Sequence, residues 1–163
     1  MGSLESANEA ISRVTQYVAA LLMAAMTILV FLQVLFRYLL NSPLDWSEEL
    51  ASFAFVWMAL LGACVGLKKD EHPRLDLIIS RLPQKTQRLI RILFNLAILS
   101  MLVLLAYYSL KLTVSMRLQL TAALQYSVSF VYAVLPVSAT IMIIHLGVET
   151  IVLLRRREGN RNE

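Results

Sequence analysis

Charge is scarce in this chain. Asp, Glu, Lys and Arg together make up 16% of its 163 residues, whereas a soluble domain carries about a quarter. Apolar residues fill 58% of the positions, so lipid is the solvent that most of the sequence suits. Cysteine is nearly absent. The single Cys64 lies inside an apolar run, which excludes an intrachain disulfide and leaves the redox compartment unspecified. Histidine is as thin, with only His72 and His145, too few for axial haem ligands on facing helices or, with Cys64, for a closed zinc site. The sequence holds no glycine-rich phosphate loop and no plausible Ser-His-Asp arrangement, and no carboxylate falls near the middle of an apolar run. Neither catalysis nor self-contained ion coupling is expected, and no cofactor or metal. A cleavable leader is not expected either, because the first apolar run is far longer than the roughly 7–15 residues of a signal-peptide core. Met1-Gly2 with Ser6 fits the loose myristoylation pattern, which is read here as coincidence.

What the sequence does hold is four apolar runs, over residues 17–40, 49–67, 89–110 and 128–154. Each can cross about 30 Å of hydrocarbon as a helix. The expected fold is therefore all-α, a single membrane domain over residues 1–163 with spans at 15–40, 47–67, 86–111 and 128–154. Ahead of the first span, Leu4, Ala7, Ile11 and Val14 recur at helical spacing. Segment 4–14 is thus an amphipathic piece that lies on the membrane or extends the first helix.

The net charge of +4 does not point to nucleic acid, because the cations gather beside apolar runs, where they act as topology and headgroup determinants. The second connection holds Lys68, Lys69, Arg74, Arg81, Lys85 and Arg88, and the tail 155–163 holds Arg155, Arg156, Arg157 and Arg161. Across the membrane stand only Arg37, Lys111 and Arg117. By the positive-inside bias, both termini are expected in the cytoplasm. Within the second connection, Leu75, Ile78, Ile79 and Leu82 repeat at i, i+3, i+4, i+7 between Pro73 and Pro83. That pattern predicts a short amphipathic interfacial helix at 73–82, with Arg74, Arg81, Lys85 and Arg88 on lipid headgroups. A packed cytosolic helix without lipid contact is the alternative.

The first outer turn carries the densest set of signals. Ser42-Pro43 with Asp45, and Asp45 with Glu48, both have the spacing of a helix start. Arg37 ends the first span close to Glu48 and Glu49, so an intrachain ion pair pinning the hairpin is one reading and contact with a partner is the other. Trp46 suits the interfacial aromatic belt. Trp57, about eleven residues on, falls near mid-membrane, where an indole prefers protein to hydrocarbon. Gly62 and Gly66 form a small-xxx-small pair that lets a second helix approach closely, from this chain or another. His145 and Glu149, at i, i+4, share a face near the inner end of the fourth run; they read as a hydrogen-bonded structural pair, or with Glu149 held by the terminal arginines, in preference to a proton relay or half of a metal site. Pro136 is a candidate kink in the same helix.

Taken in series, these residues resemble a known family. Gln33-Val34-Leu35-Phe36-Arg37-Tyr38, then Trp46-Ser47-Glu48-Glu49-Leu50, then Phe55-Val56-Trp57 with Gly62, and Glu71-His72 before Asp76 and Leu82-Pro83, are similar to the DctQ-like small membrane subunit of tripartite ATP-independent periplasmic (TRAP) transporters. The resemblance implies a non-catalytic subunit of the bacterial inner membrane that joins a large elevator-type membrane subunit and works with a periplasmic substrate-binding protein. It further implies uptake of carboxylate-bearing solutes such as C4-dicarboxylates or sialic acid, with sodium coupling in the large subunit. Carried onto this chain, Arg37, Asp45, Trp46, Glu48, Glu49, Trp57, Gly62 and Gly66 become candidates for hairpin fixing and subunit contact. His72 matches the pattern without a mechanism. A self-contained four-helix exporter acting as a homodimer is the competing class, and it requires a membrane-embedded acid that Glu149 supplies poorly.

Overall fold

A computed structural model describes residues 2–42, 44–69 and 83–159. Among these, the chain is all-helical, with α1 over Gly2–Leu39, α2 over Asp45–Lys69, α3 over Gln84–Ser115, a short α4 over Ser129–Tyr132 and α5 over Val134–Gly159. Four helical stretches are long and apolar enough to cross a membrane, at Glu5–Leu39, Trp46–Lys68, Leu89–Leu118 and Ser129–Val152. Segment 4–14 is the opening part of α1, continuous with the rest of that helix. The expected interfacial helix at 73–82, with His72, Arg74 and Arg81, lies outside the described residues.

Local chemistry sets the helix ends. Asn41 takes the left-handed conformation (φ 50), which Asn tolerates at a helix terminus, and the Ser42 N–H reaches back to Phe36 O at 3.3 Å. The start expected at Ser42 is displaced: α2 begins at Asp45, too late for Ser42 to cap it. The hydroxyl beside that end belongs to Ser47, which donates to Leu44 O at 2.7 Å. Pro83 precedes α3, and its carbonyl takes the N–H groups of Thr86 and Gln87, as suits a residue whose own N–H is missing. At the far side, Pro136 cannot donate to Tyr132 O, yet Ala133 between α4 and α5 keeps helical dihedrals (φ −59, ψ −25). The two therefore run on as one apolar stretch, Ser129–Val152.

The helices do not close into a bundle. α1 packs on α2, α2 on α5 and α5 on α3, while among the described residues α3 forms no extended interface with α1 or α2. The result is a row in the order α1, α2, α5, α3. The two interior helices carry most of the buried positions: Ala51, Leu61, Cys64 and Val65 on α2, and Val134, Ala139 and Leu146 on α5. The seams also bury Ser12, Thr15, Ser47, Asn95, Ser109, Ser138, His145 and Thr150. Small and hydroxylic side chains are what a helix seam in lipid favours, because lipid tails are as apolar as leucine and close packing must supply the attraction. Their hydroxyls are satisfied locally: Thr15 donates to Ile11 O, Ser138 to Leu135 O and Thr150 to Leu146 O.

Candidate partner surfaces and the polar junction

At the end of the row that carries Trp46, the expected ion pair between Arg37 and Glu48 or Glu49 is not formed. Glu49 is engaged elsewhere, its Oε2 accepting the Leu124 N–H at 2.7 Å. The reason is rotational. Glu49 and Trp57 lie on one side of α2, towards the segment between α3 and α5, whereas the Arg37 guanidinium lies 6.0 Å from its neighbour Tyr38's ring, on an exposed stretch of α1. Glu48 and Trp46 are exposed, the latter at 43%. Asp45 opens α2, but its side chain is outside the described set.

The segment that Glu49 holds is ordered by its own bonds. A bridge pairs Leu120 with Ser127, the Thr121 N–H donates to Tyr126 O at 2.8 Å, and Ser127 Oγ donates to Arg117 O. Gln125 turns the chain at φ 55. Deeper in α2, the Trp57 Nε1–H donates to Phe130 O at 3.3 Å, and the indole stacks on the Phe130 ring at 5.5 Å. Both the ring and its polar edge thus find protein. Leu124 and Phe130 carry no periodic or motif signal, which is why the sequence alone does not disclose them as partners of Glu49 and Trp57. If Glu49 acts through this loop, Glu49→Ala is expected to raise protease sensitivity of the 119–127 segment several-fold. Reversing charge with Arg37→Glu and Glu49→Arg together should restore nothing; rescue in that double variant would reinstate the ion pair.

Gly62 and Gly66 face away from the seam. With Ser52, Phe55 and Ala59 they share one side of α2, and a Cβ placed at either glycine would meet nothing within 4 Å. The close approach they permit is therefore not used among the described residues.

At the opposite end, three helices meet in a polar junction that pattern reasoning did not assemble. The Asn8 carbonyl accepts Lys68 Nζ at 3.1 Å, and the Asn8 amide oxygen is hydrogen-bonded to His145 Nδ1. His145 is 3% exposed, and its Nε2 has no hydrogen-bond partner among the described residues. The structural pair expected within α5 is thus replaced by a contact between helices, and Glu149 is not the partner of His145. A further buried bond, Asn95 Nδ2 to Thr150 Oγ1 at 3.3 Å, joins α3 to α5. Lys85 and Arg88 fall in the opening turns of α3, with side chains outside the described set. The described residues hold no cluster of three His, Cys, Asp or Glu that could bind a metal ion.

Four long apolar helices, seams of small and hydroxylic residues and an unused glycine face define a polytopic helical membrane protein. The particular family follows from comparison: residues 26–156 match the profile of the tripartite ATP-independent periplasmic transporters, DctQ component, and the chain belongs to that family. It is 37% identical over 76 residues to a C4-dicarboxylate TRAP transporter small permease protein of Vibrio cholerae, covering 47% of this chain and 33% of that one. It is 30% identical over 96 residues to a sialic acid TRAP transporter small permease protein of the same organism, covering 59% of this chain and 56% of the relative. A third similarity, 32% over 93 residues, is to an isethionate TRAP transporter permease protein DctMQ of Oleidesulfovibrio alaskensis, covering 53% of this chain and 15% of that one. The chain thus spans about half, or less, of the length of the curated relatives it matches.

Proposed function

We propose that this chain is the non-catalytic small membrane subunit of a TRAP-type secondary transporter. It serves as a fixed scaffold for a large elevator-type membrane subunit during sodium-driven uptake of carboxylate-bearing solutes delivered by a periplasmic binding protein. The observation that carries this reading is the family match over residues 26–156. The relative whose printed name joins the M and Q components in one permease protein supports a large membrane partner. The open side of α2 around Gly62 and Gly66 supports α2 as the helix that receives it, and exposed Arg37, Trp46 and Glu48 are the outer contacts. By the positive-inside bias both termini face the cytoplasm, which puts the polar junction on that side and the Glu49-held loop outside. Neither enzymatic chemistry nor nucleic acid has a part in this reading.

Affinity purification of the tagged chain, expressed with its neighbouring transporter genes, should retain a much larger membrane protein. A preparation of this chain alone that carries out coupled transport in vesicles would sink the reading in favour of the homodimeric exporter.

A further inference from the structure

Three interhelical hydrogen bonds fix how far each helix is slid along its neighbour. Cys64 Sγ reaches Ser138 O at 3.4 Å and sets α2 against α5. Asn95 and Thr150 set α3 against α5, and Asn8 and His145 set α1 against α5. The charges mark where each apolar stretch begins and ends: Arg13 and Arg37 on α1, Glu49 and Lys68 on α2, Arg91 and Lys111 on α3. On the fourth span the apolar stretch is Ser129–Val152. The centres of these stretches fall near Ala25, Ala59, Met101 and Thr140.

Those centres are not level. At about 1.5 Å per residue, and relative to the Cys64–Ser138 bond, Ala25 stands about 15 Å towards the Trp46 end and Ala59 about 7 Å. Thr140 lies about 3 Å towards the Lys68 end, and Met101 about 9 Å. The four heights descend in the same order as the helices stand in the row, α1, α2, α5, α3. An error in any one bond would move one helix; it would not produce a steady ramp across all four. Neighbouring axes stand about 8–10 Å apart, so the ramp falls about 24 Å over about 27 Å of row.

A bilayer has one midplane, and every apolar stretch must be centred on it. We infer that the row leans in its own plane by about 40° from the membrane normal. That is the upper end of the range transmembrane helices occupy, against an average near 20°. An upright row would push Arg13 of α1 or Lys111 of α3 into hydrocarbon. The lean follows from the register of this chain and does not depend on the transport reading. It does define the surface a membrane partner meets: an upright partner helix laid on a broad face crosses these helices obliquely and does not run along them.

Ala25, Met101 and Thr140 are exposed and lie off the glycine side of α2, so nitroxide labels on Ala25→Cys, Met101→Cys and Thr140→Cys, with the fully buried Cys64 kept in place to hold its bond to Ser138, test the lean without disturbing a seam. Each full-length variant is expressed with its large subunit and reconstituted in phosphatidylcholine vesicles, and depth is read from the ratio of oxygen to nickel-chelate collision rates, a ratio that cancels local crowding. Three depths equal to within about 5 Å, all near the midplane, are expected. Labels at Ala25 and Met101 on opposite sides of the midplane, separated by about 20 Å or more along the normal, would overturn the lean. Loss of the large subunit from the preparation would bear on the transport reading alone.

Discussion

With Gly62 and Gly66 both changed to leucine, the chain is expected to fold and insert normally yet to lose its large membrane subunit on purification. The first half follows from geometry. A Cβ at either position meets no atom within 4 Å, both residues lie inside α2, and leucine is a better helix former than glycine by roughly 0.5–1 kcal/mol. The second half follows from what small residues do in lipid. They let two backbones approach, and association rests on the van der Waals contact so gained. Two leucine side chains on that face hold a partner helix away, and recovery of the large subunit should fall at least tenfold, equivalent to about 1.4 kcal/mol. Measured thermal stability of the lone chain in detergent should not fall. A chain that unfolds, or one that still retains its partner in full, would show that the glycine side of α2 is not the receiving face.

The second large effect is expected at the opposite end. Asn8→Ala removes the hydrogen-bond partner of His145 Nδ1, leaving a ring that is 3% exposed with neither nitrogen satisfied. A buried polar group stranded in this way costs about 1–3 kcal/mol. For a chain of this size the midpoint of thermal unfolding in detergent should drop by about 3–10 °C. The double variant Asn8→Ala with His145→Leu should lose less than the two single losses added, because removing both partners leaves nothing unpaired. Simple additivity would mean that the junction does not hold α1 to α5. Exposed charge nearby is expected to matter little: the Arg13–Glu9 pair at 3.5 Å is largely solvent-facing, and such pairs contribute at most a fraction of a kcal/mol.

The four spans were legible because their signal is local: length and apolarity over about 20 residues decide that a helix can cross a membrane, whatever the neighbours do. Family membership was legible for a related reason. The stretch from Gln33 to Pro83 carries its motifs at fixed spacing along one chain. The pairings were not legible. Glu49 was within reach of Arg37 in sequence, but its rotational position on α2 turned it to Leu124, 75 residues away. His145 had a helical neighbour in Glu149, yet its Nδ1 is met by Asn8, 137 residues away on α1. Small residues announce that helices meet without saying which ones, and here Cys64 with Ser138 joined α2 to α5 while Gly62 and Gly66 joined nothing.

A layer one helix thick has two sides and no interior. Water, an ion or a carboxylate crossing a membrane needs a lumen or a carrier that closes around it, and α1, α2, α5 and α3 standing side by side enclose neither. On the scaffold reading proposed above, the walls around the solute belong to the large subunit. The row can widen such a body, brace it or fix its angle in the bilayer, but its described residues form no chamber around cargo.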